Sequence, residues 1–146
     1  MTESREPFES MDYTNWSDKL KQAKEEGWHR HCREKSDERP WGRFEILFKG
    51  PTFQIKLLTI HKDQAISLQY HKHRSEHWTV VQGVGQATIG DEEITLLEDE
   101  GVTIRQWEKH RVENIGLIDL KIVEVQVGCY LGEDDIKRIE DNYGRI

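Results

Sequence analysis

From about Arg39 onward the chain breaks into short apolar, β-branched or alternating runs separated by turn residues: "FQIKLLTI", "WTVVQG", "QATIG", "EITLL", "GVTIRQ" and "LIDLKIVEVQVG". This spacing predicts an all-β sandwich or barrel. "TIGDEEIT" predicts a hairpin with its turn near Gly90 and Asp91. "LIDLKIVEVQVG" alternates along its length, which buries one face of a strand and wets the other. Trp41 and Trp78, flanked by apolar residues, read as core. Gly42 reads as a turn or close-approach glycine.

Both ends depart from this texture. Residues 1–38 are charged and poor in β-branched side chains, and form an N-terminal extension to a β domain over 39–146. Within the extension, "TNWSDKLKQAKEEGW" predicts a short helix capped by Thr14 or Asn15 and ended by Gly27, with Trp16, Leu20 and Ala23 on one face. At the other end, "GEDDIKRIEDNYGR" carries Ile136, Ile139 and Tyr143 at helical spacing behind leading acids, which suit the positive end of a helix dipole. A short C-terminal helix packed on the barrel is the expectation there.

Composition narrows the partners. A chain of 146 residues is one ordinary domain, long enough to bury a core. Its net charge of −7 repels phosphate backbones and anionic lipid heads, so neither nucleic acid nor membrane is expected as a partner. No apolar run approaches the ~18 residues of a membrane span. "MTESREPFES" lacks the basic-then-apolar order of a signal peptide. Cys32 and Cys129 show no framework spacing and read as reduced thiols of a cytoplasmic protein.

The chemistry concentrates in "SLQYHKHRSEHW", residues 67–78, which hold three of the seven histidines. If "ISLQYHKH" is a strand, Gln69, His71 and His73 alternate onto one face. Imidazoles with the downstream carboxylate of Glu76 form a ligand set for Zn, Mn, Co, Ni or Fe. His110, after the run "GVTIRQ", is the best remaining candidate for a further ligand.

The spacing resembles the two motifs of the cupin family, a small β-barrel family. Six residues separate Gly83 from Glu76 and four separate Glu76 from His71, which pairs with position 69. Gln69 therefore stands where the first motif histidine belongs, and Asp63 replaces the leading glycine. In the second motif His110 and Asn114 fit, while Arg105 and Trp107 stand in place of the usual proline and glycine. That substitution leaves the turn before His110, and hence the aim of its ring, open. The fold this resemblance implies is a double-stranded β-helix, or jelly-roll, barrel.

The runs "RPWGRFEIL", "SLQYHKHRSEHWTVVQG", "HRVENIG" and "VEVQVGCYLGEDDIKRIEDNYGR" further resemble the C-terminal domain of bacterial bifunctional mannose-1-phosphate guanylyltransferase/mannose-6-phosphate isomerases. The resemblance covers about Arg39 to Arg145. It implies a free-standing isomerase-type domain that interconverts mannose 6-phosphate and fructose 6-phosphate through a cis-enediol, with one divalent metal ion, zinc first, in a homodimer. The metal set it implies is Gln69, His71, Glu76 and His110, with His73 as the substitute for a shifted register. Arg74 is expected at phosphate or sugar oxygens, which suit a guanidinium fork. His73 and His77 are candidate bases, His77 only if the chain bends where a regular strand would turn it away from Glu76. Lys56 and Arg111 are candidate substrate contacts, and Glu124 and Gln126 are placed to line the barrel. Two other readings stay open. His71, Glu76 and His110 also make the two-histidine, one-carboxylate set of iron oxygenases, and a sugar-binding module without turnover needs no base at all.

Overall fold

The structure, a computed structural model, describes Asp18 and residues 35–146. The helix predicted over residues 14–27 lies outside the described residues apart from Asp18. Eleven strands follow in order: β1 (Lys35–Arg39), β2 (Gly42–Lys49), β3 (Phe53–Ile60), β4 (Leu68–Tyr70), β5 (Arg74–Gln82), β6 (Gly85–Ile89), β7 (Glu92–Leu96), β8 (Gly101–Ile104), β9 (His110–Asn114), β10 (Leu120–Gly128) and β11 (Lys137–Glu140). They form two antiparallel sheets, one ordered β1-β2-β3-β10-β5-β8 and the other β11-β4-β9-β6-β7. The all-β prediction holds, and among the described residues sheet pairing reaches upstream of the boundary placed before residue 39, to Lys35. Among the described residues no helix is long and apolar enough to cross a membrane.

Local chemistry sets the turns. Gly90 and Asp91 close the β6–β7 hairpin as the sequence predicts, with Gly90 at φ 60°. Gly42 sits at φ 150°, and a Cβ there would lie 1.9 Å from the Thr59 carbonyl oxygen, so the strand crossing at β2–β3 requires glycine.

The inward positions of the three central strands divide the barrel along its axis. At one end Leu58 and Ile60 of β3, Leu120 and Ile122 of β10, and Trp78 and Val80 of β5 join Ile104, Ala87 and Val112 in a dry core. At the other end the same period-two positions turn polar: Gln54 and Lys56, Glu124 and Gln126, Arg74 and Glu76, all buried. Register stacks these groups, with Lys56 opposite Glu124, and Gln126 opposite both Gln54 and Glu76. The apolar end supplies the burial that holds the fold. The polar end is an interior that only hydrogen bonds, ion pairs or a ligand can satisfy.

The C-terminal expectation is corrected. Residues 137–140 form β11, paired with β4, where a helix was predicted. Ile136 and Arg138 both line the interior pocket, two residues apart, while Ile139 is exposed. The unpaired edge of β4 supplies backbone partners for an extended chain, and period two wins over the helical spacing of the isoleucines.

Candidate metal centre and pocket

Three strands converge on the candidate ligands. Strand β5 alternates inward Glu76, Trp78 and Val80 with outward His77, Thr79 and Val81. His110 opens β9 directly opposite Gln69 of β4. His71 follows β4, where the chain bends. The Nε2 atom of His71 lies 3.0 Å from Oε1 of Glu76, and Nε2 of His110 lies 3.4 Å from Oε2. One ligand atom from each of the three residues falls within 4.8 Å of the others, and all three side chains are buried.

The far ring nitrogens are fixed by backbone. Nδ1 of His71 donates to the Asp135 carbonyl at 2.5 Å, and Nδ1 of His110 donates to the Glu108 carbonyl at 2.8 Å. These bonds set the tautomer, so each Nε2 presents a lone pair to the centre. Nε2 of His110 and Oε2 of Glu76 are buried without any hydrogen bond. Burial alone would raise the Glu76 pKa, yet His71 and His110 beside it hold it well below the usual carboxylate range. His110 is displaced upward, because Glu76 outweighs the burial that would lower it. An ionised carboxylate faced by two inward Nε2 atoms calls for positive charge, which a divalent cation supplies when the imidazoles are neutral. The donor set therefore fits a divalent cation.

Gln69 completes the approach to the triad. Its Nε2 stands 3.4 Å from Nε2 of His71, while its Oε1 accepts from Ser67 Oγ at 2.6 Å. A half-turn of the amide brings the oxygen to the triad, the orientation a ligand requires. The turn before His110 carries a left-handed residue at the position where the motif has glycine. Trp107 takes φ 65°, the conformation open to a glycine, and its N–H donates to the His71 carbonyl at 2.8 Å. The two ligand-bearing segments are thereby tied together.

Beside the centre opens a cavity of about 100 Å³, which Gln69 and Glu76 line. Its cations are Arg39, Lys56, Arg74, Arg138 and Arg145. Arg74 donates from Nε to Glu76 Oε1 at 3.2 Å and from Nη1 to the Gly132 carbonyl at 3.2 Å, and its Nη2 reaches 3.5 Å from His71 Nε2. Glu124 accepts from Trp78 Nε1 at 2.8 Å and from Gln126 Nε2 at 2.6 Å. Burial and the Glu76 charge push its pKa up to about 7 against the pull of Lys56 and Arg74. A carboxyl that changes protonation near neutrality, in a pocket beside a metal triad, can carry a proton.

The pocket leaves out three sequence candidates. His73 is not on the Gln69 and His71 face, because β4 ends at Tyr70. Lys72 and His73 form a bend whose two N–H groups donate to the Asp135 carboxylate at 3.0 and 2.9 Å. The His73 ring is half-exposed, 3.2 Å from Asp135 Oδ1. His77 is exposed on the outer face, with Nδ1 3.2 Å from Thr103 Oγ1. Arg111 donates to the Ile66 carbonyl at 3.2 Å and lies 3.6 Å from Glu140. Glu133, Asp135, Arg39, Arg138 and Arg145 were not singled out from sequence. Four of these five, all but Arg39, fall in the segment for which the sequence predicts a helix, and the signal that could have found them is the inward parity of Ile136 and Arg138.

Asp135 holds the His71 loop at four points, through its own carbonyl on the ring, two backbone N–H groups and the His73 side chain. Asp135→Ala is expected to weaken divalent-metal binding about 10- to 100-fold, the usual cost of losing an orienting partner. Asp135→Asn, which keeps one oxygen for the loop N–H groups, should recover most of that loss in a chelator-competition titration.

The chain matches the family model described as "Mannose-6-phosphate isomerase C-terminal" over residues 23–141. It is 45% identical over 118 residues to the xanthan biosynthesis protein XanB of Xanthomonas campestris pv. campestris (strain B100), covering 81% of this chain and 24% of that protein. It is 48% identical over 107 residues to the alginate biosynthesis protein AlgA of Pseudomonas aeruginosa, covering 73% and 22%. It is 39% identical over 136 residues to a mannose-1-phosphate guanylyltransferase of Escherichia coli, covering 93% and 28%. The chain thus spans about a quarter of the length of these relatives. In fold it is similar to a conserved Klebsiella pneumoniae protein with a double-stranded β-helix domain, at TM-score 0.60 and 16% identity over 78% of this chain and 87% of that one. It is similar also to KdgF from Halomonas sp., at TM-score 0.60 and 14% identity over 69% and 90%. The double-stranded β-helix barrel is therefore the fold.

Proposed function

The chain belongs to the mannose-6-phosphate isomerase C-terminal family, and from that membership we propose that it is a metal-dependent aldose–ketose isomerase acting on mannose 6-phosphate and fructose 6-phosphate. The observation that carries the reading is the buried triad of His71, Glu76 and His110, with Glu76 Oε2 and His110 Nε2 free of hydrogen bonds, at the side of a cation-lined pocket that also holds a titratable carboxyl. His71, Glu76, His110 and Gln69 would hold one divalent ion, zinc first among Zn, Mn, Co, Ni and Fe. When bound, it supplies Lewis-acid polarisation of the sugar carbonyl.

The remaining chemistry falls to this chain's side chains. Arg74 and Lys56 bind phosphate oxygens, with Arg39, Arg138 and Arg145 adding positive charge around them. Trp41, Phe44 and Leu58 form the apolar part of the wall and limit water beside the reacting carbons. Glu124 takes the proton from C2 of the open-chain aldose and returns it to C1, while the hydroxyl proton passes from O2 to O1. Gln126 and Trp78 hold the Glu124 carboxylate in place by donating to its two oxygens. A cation beside Glu76 cancels much of the repulsion that raises Glu124, so in the metal-bound protein it enters as the carboxylate at neutral pH. On this reading the base stands on a strand, in the polar layer, in preference to His73 and His77, which the pocket leaves out.

Metal-loaded protein in deuterated buffer is expected to convert mannose 6-phosphate to fructose 6-phosphate, with deuterium at C1 or C2. The absence of both conversion and exchange would overturn the reading. Oxygen consumption with ferrous iron would instead favour the oxygenase chemistry that the same triad allows.

A further inference from the structure

We propose that Glu133 is a built-in competitor for the anion subsite of the pocket: its carboxylate neutralises Lys56 in the ligand-free protein and yields Lys56 to an incoming phosphate dianion. The inference deepens the isomerase reading, but needs only that the pocket take a phosphate group.

Lys56 points inward from β3, opposite Glu124, and its side chain is only 4% exposed. Its ammonium bonds Glu133 and stands 4.5 Å above the Phe44 ring. An ammonium this buried is expensive without an anion against it. Glu76 and Glu124 are held in strands by the metal-site and Trp78 contacts described above. Glu133 differs from both: it sits in the turn between β10 and β11 with its side chain 50% exposed. It can leave Lys56 and regain water at little cost, which the other two cannot.

The same turn covers the second cation. The Gly132 carbonyl accepts from Nη1 of Arg74, so adjacent residues of one turn occupy both groups assigned to the phosphate. A phosphate that bridges Lys56 and Arg74 replaces both contacts together. A dianion with three free oxygens can satisfy an ammonium and a guanidinium at once. A chloride cannot replace both, and a carboxylate, with one negative charge, gains little over the internal carboxylate already present. Glu133 therefore lowers affinity for anions in general and confers preference for a phosphate monoester. If the Glu133 contact fills the subsite about nine-tenths of the time, its removal raises apparent phosphate affinity about ten-fold.

The test is a calorimetric titration of inorganic phosphate into metal-loaded wild type, Glu133→Gln, Glu133→Ala, Lys56→Met and the Lys56→Met/Glu133→Gln double variant, each checked for folding by its thermal transition. Both Glu133 variants should bind phosphate about ten-fold tighter, and Lys56→Met should erase the gain. Unchanged or weaker binding in both Glu133 variants overturns the proposal, as does phosphate binding by none of the proteins. Titrations with mannose 6-phosphate and with mannose then separate a phosphosugar ligand from free phosphate. Failure of wild type to isomerise mannose 6-phosphate counts against the reading of function and leaves the phosphate comparison intact.

Discussion

His71→Ala is expected to leave the protein without bound metal after dialysis, and without isomerase activity. The ring contributes one of the two imidazole lone pairs and sits 3.0 Å from the Glu76 carboxylate. Its removal deletes a ligand outright, so the loss of affinity should exceed the roughly 10- to 100-fold expected when only an orienting partner is lost. Two further changes act in the same direction. The Asp135 carbonyl loses the Nδ1–H it accepts, and a buried imidazole volume is left empty. Gln69→Ala should cost less, because Gln69 is only partly buried and its oxygen is engaged by Ser67. Elemental analysis, with a chelator competition for affinity, measures both. Equal metal content in His71→Ala and wild type would refute the ligand assignment.

The readable part of this molecule is the part governed by parity and spacing. The 69, 71, 76 and 110 positions are legible because three strands and a bend bring them together at motif distances, and the structure places them within reach of one another. Glu124 and Gln126 were legible as inward polar residues because β10 alternates over its full length. Parity also settles His77, since a residue adjacent to an inward Glu76 on a strand must face out. His73 was misplaced for a different reason. Its bend depends on the Asp135 carboxylate 62 residues away, and no local pattern announces a partner that distant. The same holds for β11, whose extended form is set by the open edge of β4. Once that segment was read as a helix, Glu133, Arg138 and Arg145 could not be placed at the pocket, although all three line it. The near-neutral pKa of Glu124 lies further out of reach, because it arises from its burial and its nearness to Glu76.

Glu124→Gln is expected to retain metal and lower kcat by roughly 10²- to 10⁴-fold, the range spanned by a positioned general base. KM should change little, because the phosphate contacts come from other residues. The substitution also has a signature in stability that does not depend on turnover. In the metal-free protein Glu124 has a folded pKa of about 7, against an ordinary value of 4.5. A carboxyl whose folded pKa is raised contributes stability that is fully present below about 4.5 and is lost as pH rises through about 7. The difference corresponds to about 3 kcal/mol between those limits. A glutamine carries no such titration. The Tm of metal-free Glu124→Gln, relative to wild type, should therefore climb from pH 4.5 to 7 and level off above it, by on the order of 5–10 °C for a domain of this size. Bound cation lowers the Glu124 pKa, so the same comparison on metal-loaded protein should show a smaller rise, shifted to lower pH. A base with a different role would give different results: kcat within a few-fold of wild type removes Glu124 from the proton path, and a Tm difference that stays flat across this pH range removes the raised pKa.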